Sequence, residues 1–393
     1  MRVLLTQKMA GVAGSERYYL NLLPALRARG VDASFLLLER AVEAGLNDGF
    51  AATLGMGGVP VLRRQYRTAL SRSTVFHIVH AVRQGAIDIL QSNLIHADMW
   101  AAAAKKWALP GLPLVSAKHG YHEGFHRKHG LDPSRVGHEA YATATRIAAT
   151  QADRVIAISR ALANFHARAR LIARDKIEVI PYGFSFDDAV SRLPPGGARF
   201  APVQIVSVAR LVPYKQHPVL LQAFAQLLLR HPALKLVVVG GGPESEQLKQ
   251  LAQGLGIAAA VEWTGYVDNP HDYLRDSDLF VLPSAAEGFG AVILEAWHHA
   301  LPVVAFDVPA PNEIVTDGMD GLLAEPYRVE ALAAHIDALI ADPGRRREMG
   351  RRGRETLARR FTIEAMTDRT IALYEEVLAA AAAPRRSRQS RIS

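Results

Sequence analysis

The 393-residue chain contains no cysteine. Disulfides and thiolate-held metals are thereby excluded, and a reducing compartment is the expectation. No eighteen uninterrupted apolar residues occur, so no segment reads as a membrane-spanning helix. The opening MRVLLTQKMAG is a short apolar strand without the longer core and cleavage site of a secretory leader. A cytoplasmic protein is expected. The basic segments lack interleaved aromatics, which argues against a nucleic-acid partner. No G-x-G-x-x-G is completed either, which argues against a separate dinucleotide site.

Positive charge is present but unevenly placed. Residues 1–199 carry 26 Lys and Arg against 15 Asp and Glu, a balance of +11. Residues 200–393 carry 20 against 23, a balance of −3. Arg63, Arg64, Arg67 and Arg72 lie together in LRRQYRTALSR, and Arg127 and Lys128 follow in HRKHG. Such a surface suits an anionic acceptor or an acidic membrane face, and equally a solvated basic loop.

Short β-branched runs alternate with helical patterns along the chain. RVLLTQ, ASFLLLE, DILQSN, LPLVSAK, RVIAIS and KIEVIPYG are apolar on both faces, as parallel strands covered by helices must be. SRLPPGGARFAP then interrupts, and the alternation restarts with VQIVSVARL, LKLVVVGGG, AVEWTGY, DLFVLPS and PVVAFDV. The expected architecture is α/β, two Rossmann-like doubly wound domains facing a cleft. The boundaries predicted are 1–190, a linker at 191–202, 203–361, a helix at 362–383, and a disordered basic tail at 384–393.

Residues 122–126 spell H-E-x-x-H, the zinc-peptidase spacing. That motif needs a helix, yet Gly120 and Gly124 sit in the segment, and each glycine costs a helix interior about 1 kcal/mol relative to alanine. A zinc hydrolase therefore stands only as an alternative, and DSD at 276–278 reads as a helix–strand junction with Asp278 as its cap. His119 ends a strand, where open α/β sheets place ligand-contacting groups.

The stretch 284–323 carries the chemistry. Glu287 and Glu295 are eight apart, and Gly288 and Gly290 open a helix expected to run to about Ala300. Its free N–H groups suit an anion or hydroxyls, and carboxylates accept well from vicinal hydroxyls. Upstream, Arg210 ends a strand and Lys215 precedes a helix, a pairing that suits a diphosphate.

These residues resemble the donor domain of family-four glycosyltransferases, retaining sugar-nucleotide enzymes of the GT-B fold. VARLVPYK, LVVVGGGPESEQL, VEWTGYV, YLRDSDLFVLPSAAEGFGAVILEA, LPVVAF and NEIVTDGMDGLL stand in the family's order. The first half is similar more loosely, through AGVAGSERYYLNLLPAL, KHGYHE, ADRVIAIS and IEVIPYG. The resemblance implies that Arg210 and Lys215 neutralise the donor pyrophosphate, Glu295 holds ribose hydroxyls and Glu287 holds sugar hydroxyls. Backbone N–H groups of Gly288, Phe289 and Gly290 would cradle the donor, Gly14 would let backbone approach its phosphates, and His119 would face the sugar. It implies a UDP- or GDP-sugar donor, a glycan or lipid-linked acceptor, no cofactor and no metal. The runner-up readings are the zinc hydrolase and a noncatalytic sugar-nucleotide-binding protein. Departures from the family pattern fall at A-G-V-A-G-S-E, at Tyr182, at Gln216 where glycine is usual, and at VPAPNE before Glu313.

Overall fold

The structure is a computed structural model and describes residues 1–9, 14–68, 71–121, 131–185 and 202–383. The H-E-x-x-H segment, Arg127, Lys128, the Pro/Gly-rich stretch up to 201 and the arginine tail lie outside these residues. Among the described residues, no helix is long and apolar enough to cross a membrane.

Two wholly parallel sheets form. The first runs in the order β3-β2-β1-β4-β5-β6-β7, built from Arg2–Lys8, Asp32–Glu39, Val61–Gln65, Ile89–Asn93, Leu114–Lys118, Arg154–Ala157 and Ile177–Val179 as β1 to β7. The second runs β10-β9-β8-β11-β12-β13, from Gln204–Val208, Lys235–Val239, Val261–Gly265, Leu279–Leu282, Val303–Phe306 and Gly321–Ala324 as β8 to β13. In each sheet the order reverses direction beside its first strand, leaving a crevice at the carboxyl ends of β1/β4 and of β8/β11. Strands such as Leu279–Leu282 and Val303–Phe306 are buried along their whole length, as a sheet covered on both faces demands.

Two strands were not read from the sequence. β3 (VLRRQ) is half-exposed and carries two arginines, and β13 (GLLA) is four residues long; both are edge strands. The β3 assignment changes the reading of the basic cluster. Arg63 is bound to the buried Glu39 at 2.9 Å and to Asp48 at 2.6 Å, so its charge is already matched. Arg67 and Arg72 remain exposed.

The helix Ile363–Ala382 returns to pack on the first helix of the chain, Gly14–Ala28. Its buried Tyr374 hydroxyl donates to Gln91 Oε1 in β4 at 2.5 Å, and Arg154 pairs with Glu376 at 2.8 Å. The two sheets are joined by crossing backbone segments. Phe184 N–H donates to Phe361 C=O at 2.8 Å, and Ile363 N–H donates to Phe184 C=O at 3.1 Å. Asp278, read as a cap, accepts from Gln204 N–H at 2.9 Å and faces Arg346 at 3.8 Å, tying β8 to the helix Pro343–Arg360.

That arginine-rich helix packs against the helix Ala291–His298, which carries Glu295, at two glycines. A Cβ on Gly353 would lie 2.2 Å from Trp297 Cδ1, and one on Gly350 would lie 1.8 Å from the Ala300 carbonyl oxygen. Gly353→Ala should therefore destabilise the protein by about 1–3 kcal/mol, overpacking outweighing the roughly 1 kcal/mol that alanine gains in a helix. Urea unfolding measures this, and an unchanged or higher midpoint would refute the close-packing account.

Candidate active site

A cleft of about 1010 Å³ separates the sheets and receives residues from both. Arg210 leaves the end of β8, Lys215 closes the turn Pro213–Lys215, and Glu287 follows β11. Gly290 has φ +98° and serves as N-cap of Ala291–His298, so glycine is required where the chain turns into the helix. The helix ends at His298, two residues short of the expected end. Its N-terminus, with Gly288, Phe289 and Glu295, lines the cleft, and across from it stand Arg17, Lys118, His119 and Gly120.

Among the described residues, four cations line this space: Arg17, Lys118, Arg210 and Lys215. Three are matched by carboxylates. Lys215 Nζ lies 2.5 Å from Glu287 Oε1. Arg17 Nη1 lies 2.6 Å from Glu295 Oε1, and its Nη2 donates to the Asp268 carbonyl at 2.8 Å. Lys118 is paired with Asp98, both buried, and Ser92 and Ser116 hydroxyls donate to the same carboxylate at 2.6 and 2.8 Å. Arg210 differs: its guanidinium donates to the Tyr214 hydroxyl and has no carboxylate partner among the described residues. An incoming anion therefore meets one cation that need not give up an ion pair, and a second, Lys215, that can exchange one.

His119 follows β5 on the opposite wall. Its two ring nitrogens are sealed from solvent and have no hydrogen-bond partner among the described residues, and the ring meets Tyr18 edge-on at 4.5 Å. Burial, and then the neighbouring Lys118 ammonium, push its pKa down to about 3, so the imidazole is neutral at physiological pH. The neutral ring keeps both nitrogens unanswered beneath the cleft surface, so a ligand hydroxyl would reach them only after the covering groups shift.

The two walls touch directly. A Cβ on Gly288 would lie 2.4 Å from the His119 carbonyl oxygen and 2.8 Å from Gly120 Cα. Ser159 Oγ donates to the Gly288 carbonyl at 2.7 Å while accepting from Leu162 N–H, so one hydroxyl caps its own helix and grips the other domain. Glu313 reaches across to accept from the N–H groups of Arg160 and Ala161, filling that same helix N-terminus. Phe289 stacks on Tyr182 at 6.1 Å.

Two departures from the expected pattern fall at backbone strain. Gln216 has φ +53°, and Ala310, before Glu313, has φ +81° and ψ −59°. Both conformations favour glycine. Gly14 stands as first residue of its helix, next to residues outside those described. Among the described residues, no three His, Asp or Glu side chains are grouped as a metal site requires. Arg17, Tyr214, Ser159 and Glu313 were not assigned from sequence. The partners of Arg17, Ser159 and Glu313 lie 129 to 278 positions away, where no local motif marks them, whereas Tyr214 stands four residues from its partner Arg210.

Two family models cover most of the chain: Glycosyltransferase Family 4 over residues 12–188, and Glycosyl transferases group 1 over residues 198–356. A D-inositol 3-phosphate glycosyltransferase from Acidothermus cellulolyticus is 30% identical over 324 residues, 73% of this chain and 68% of that protein. The chain belongs to glycosyltransferase family four. The lipopolysaccharide core biosynthesis glycosyltransferase LpsE of Rhizobium meliloti is 36% identical over 168 residues, 43% of this chain and 48% of LpsE. The chain thus matches about half the length of that relative. The solved structure of Anabaena HepE in complex with UDP-glucose superposes with a TM-score of 0.77 at 23% identity, covering 97% of this chain and all of that one. The fold is GT-B.

The Gly288 contact yields a test. Gly288→Ala should hold the walls apart while each domain stays folded, raising the radius of gyration in small-angle X-ray scattering. Unchanged scattering would show that the approach is not limiting.

Proposed function

We propose that this protein transfers a sugar, of the hexose class, from a nucleoside diphosphate sugar to a hydroxyl acceptor, with retention at the anomeric carbon. The carrying observation is the meeting of Arg210, Lys215–Glu287 and the glycine-led helix with Glu295 in one cleft. Its volume suits a nucleotide sugar. Breaking the anomeric C–O bond puts negative charge on the departing diphosphate. Arg210, Lys215 and the N–H groups at the helix start face that charge, and preorganised charge of this kind is the usual large term in catalysis. As Lys215 turns to the diphosphate, Glu287 becomes available to sugar hydroxyls, and His119 offers a neutral ring from the other wall. Side-chain cations supply the neutralisation, so the reaction is proposed to be independent of divalent metal. Retention is inferred from the family alone.

The acceptor is proposed to be a glycan or a lipid-linked glycan on the first domain, as the relatives in lipopolysaccharide core synthesis suggest. Arg67 and Arg72 are exposed, and Phe76, one helical turn after Arg72, is 70% exposed, features that support peripheral contact with an anionic membrane face from the cytoplasmic side. Nucleic acid is not among the proposed partners.

A thermal-unfolding screen against UDP, GDP, ADP and their sugar conjugates, with and without EDTA, tests the donor. A ligand at one hundred times its Kd should stabilise by about 2.7 kcal/mol, and the shift should be indifferent to EDTA. Arg210→Ala should lower the transfer rate roughly 10²- to 10³-fold. Absence of any nucleotide shift, with melting lowered by EDTA, would instead favour the hydrolase reading.

A further inference from the structure

We propose that Arg17, on the first helix of the acceptor-side domain, is a positioning residue for Glu295, so that recognition of the nucleotide's ribose depends on the two domains being closed together. This rests on the reading of Glu295 as the ribose carboxylate. Arg17 and Glu295 lie 278 positions apart in sequence and on opposite walls of the cleft. The guanidinium holds one carboxylate oxygen, Oε1, at 2.6 Å, and its other arm is fixed on the Asp268 carbonyl at 2.8 Å. Among the described residues no other group bonds Glu295, so its second oxygen is left for vicinal hydroxyls. A guanidinium anchored at its other arm fixes the point at which Oε1 is held, as a free ammonium on a flexible stem does not. Glu295 sits on a short helix with its side chain mostly covered, and among the described residues no group of its own domain bonds its carboxylate. The aim comes from across the cleft, and opening the cleft removes it.

Isothermal titration of UDP against 2′,3′-dideoxy-UDP, with GDP and its dideoxy analogue in parallel, measures ribose recognition directly. The wild-type protein should prefer the ribonucleotide by about 10- to 100-fold, the size of hydrogen bonds to a charged acceptor. Glu295→Gln should lose most of that preference. Arg17→Ala should lose it as well, to within about threefold, while binding the dideoxy nucleotide as the wild type does. Arg17→Lys should recover only part of it. The double variant should lose no more than either alone, because the two residues act as one unit. Arg17→Ala that keeps the full preference overturns the proposal. So does an equal weakening of both nucleotides, which would place Arg17 on the diphosphate instead. If Glu295→Gln itself retains the preference, or the wild type shows none, the ribose reading of Glu295 has failed, whatever Arg17 does.

Discussion

The site depends on a single close approach, backbone to backbone, between Gly288 and the His119–Gly120 segment. With 2.4 Å between a would-be Cβ and a carbonyl oxygen, no other residue type lets the two walls meet there. Once they meet, Ser159 can reach the Gly288 carbonyl, Glu313 can fill the facing helix N-terminus, and Arg17 can reach Glu295. Each of these is a modest interaction alone. Together they bring the cations and carboxylates of one domain to the imidazole of the other.

The electrostatics of the cleft follow from pairing rather than from surplus charge. The first half of the chain is basic overall, yet within the cleft Lys118 and Arg17 are each matched by a carboxylate. Taking charges out of water is costly unless they are matched, so partnered cations are what a walled cleft can tolerate. The proposed function implies an exchange at Lys215 alone: a diphosphate would take its ammonium and free Glu287 for hydroxyls, while Arg17 keeps Glu295. Arg210, held by the Tyr214 hydroxyl, is placed to begin that exchange.

Much of this was legible in the sequence, for identifiable reasons. Buried parallel strands such as DLFVLPS and PVVAFDV betray themselves by being apolar on both faces, and the E-G-F-G entry marks a tight turn into a helix. β3 and β13 stayed hidden because an edge strand need not be apolar or long. Arg63 read as part of a free basic surface because its partner Glu39 lies on the neighbouring strand, 24 residues away. Arg17 and Glu313 were illegible for a stronger reason. Their partners are contributed by the other domain, and no spacing rule reaches 278 or 153 positions. Where the sequence departs from glycine at Gln216 and Ala310, the backbone holds the left-handed conformation regardless, so family pattern located the strain without revealing it.

The return of the helix Ile363–Ala382 has a consequence for synthesis on the ribosome. The first domain has its seven strands by residue 179, but the Gln91 side chain in its centre awaits Tyr374. The second domain is in topological terms an insert, complete before the first is closed. A nascent chain would therefore carry a finished second domain tethered to a first domain still missing its last wall. An exposed apolar face persists over that interval, the condition in which chaperones engage.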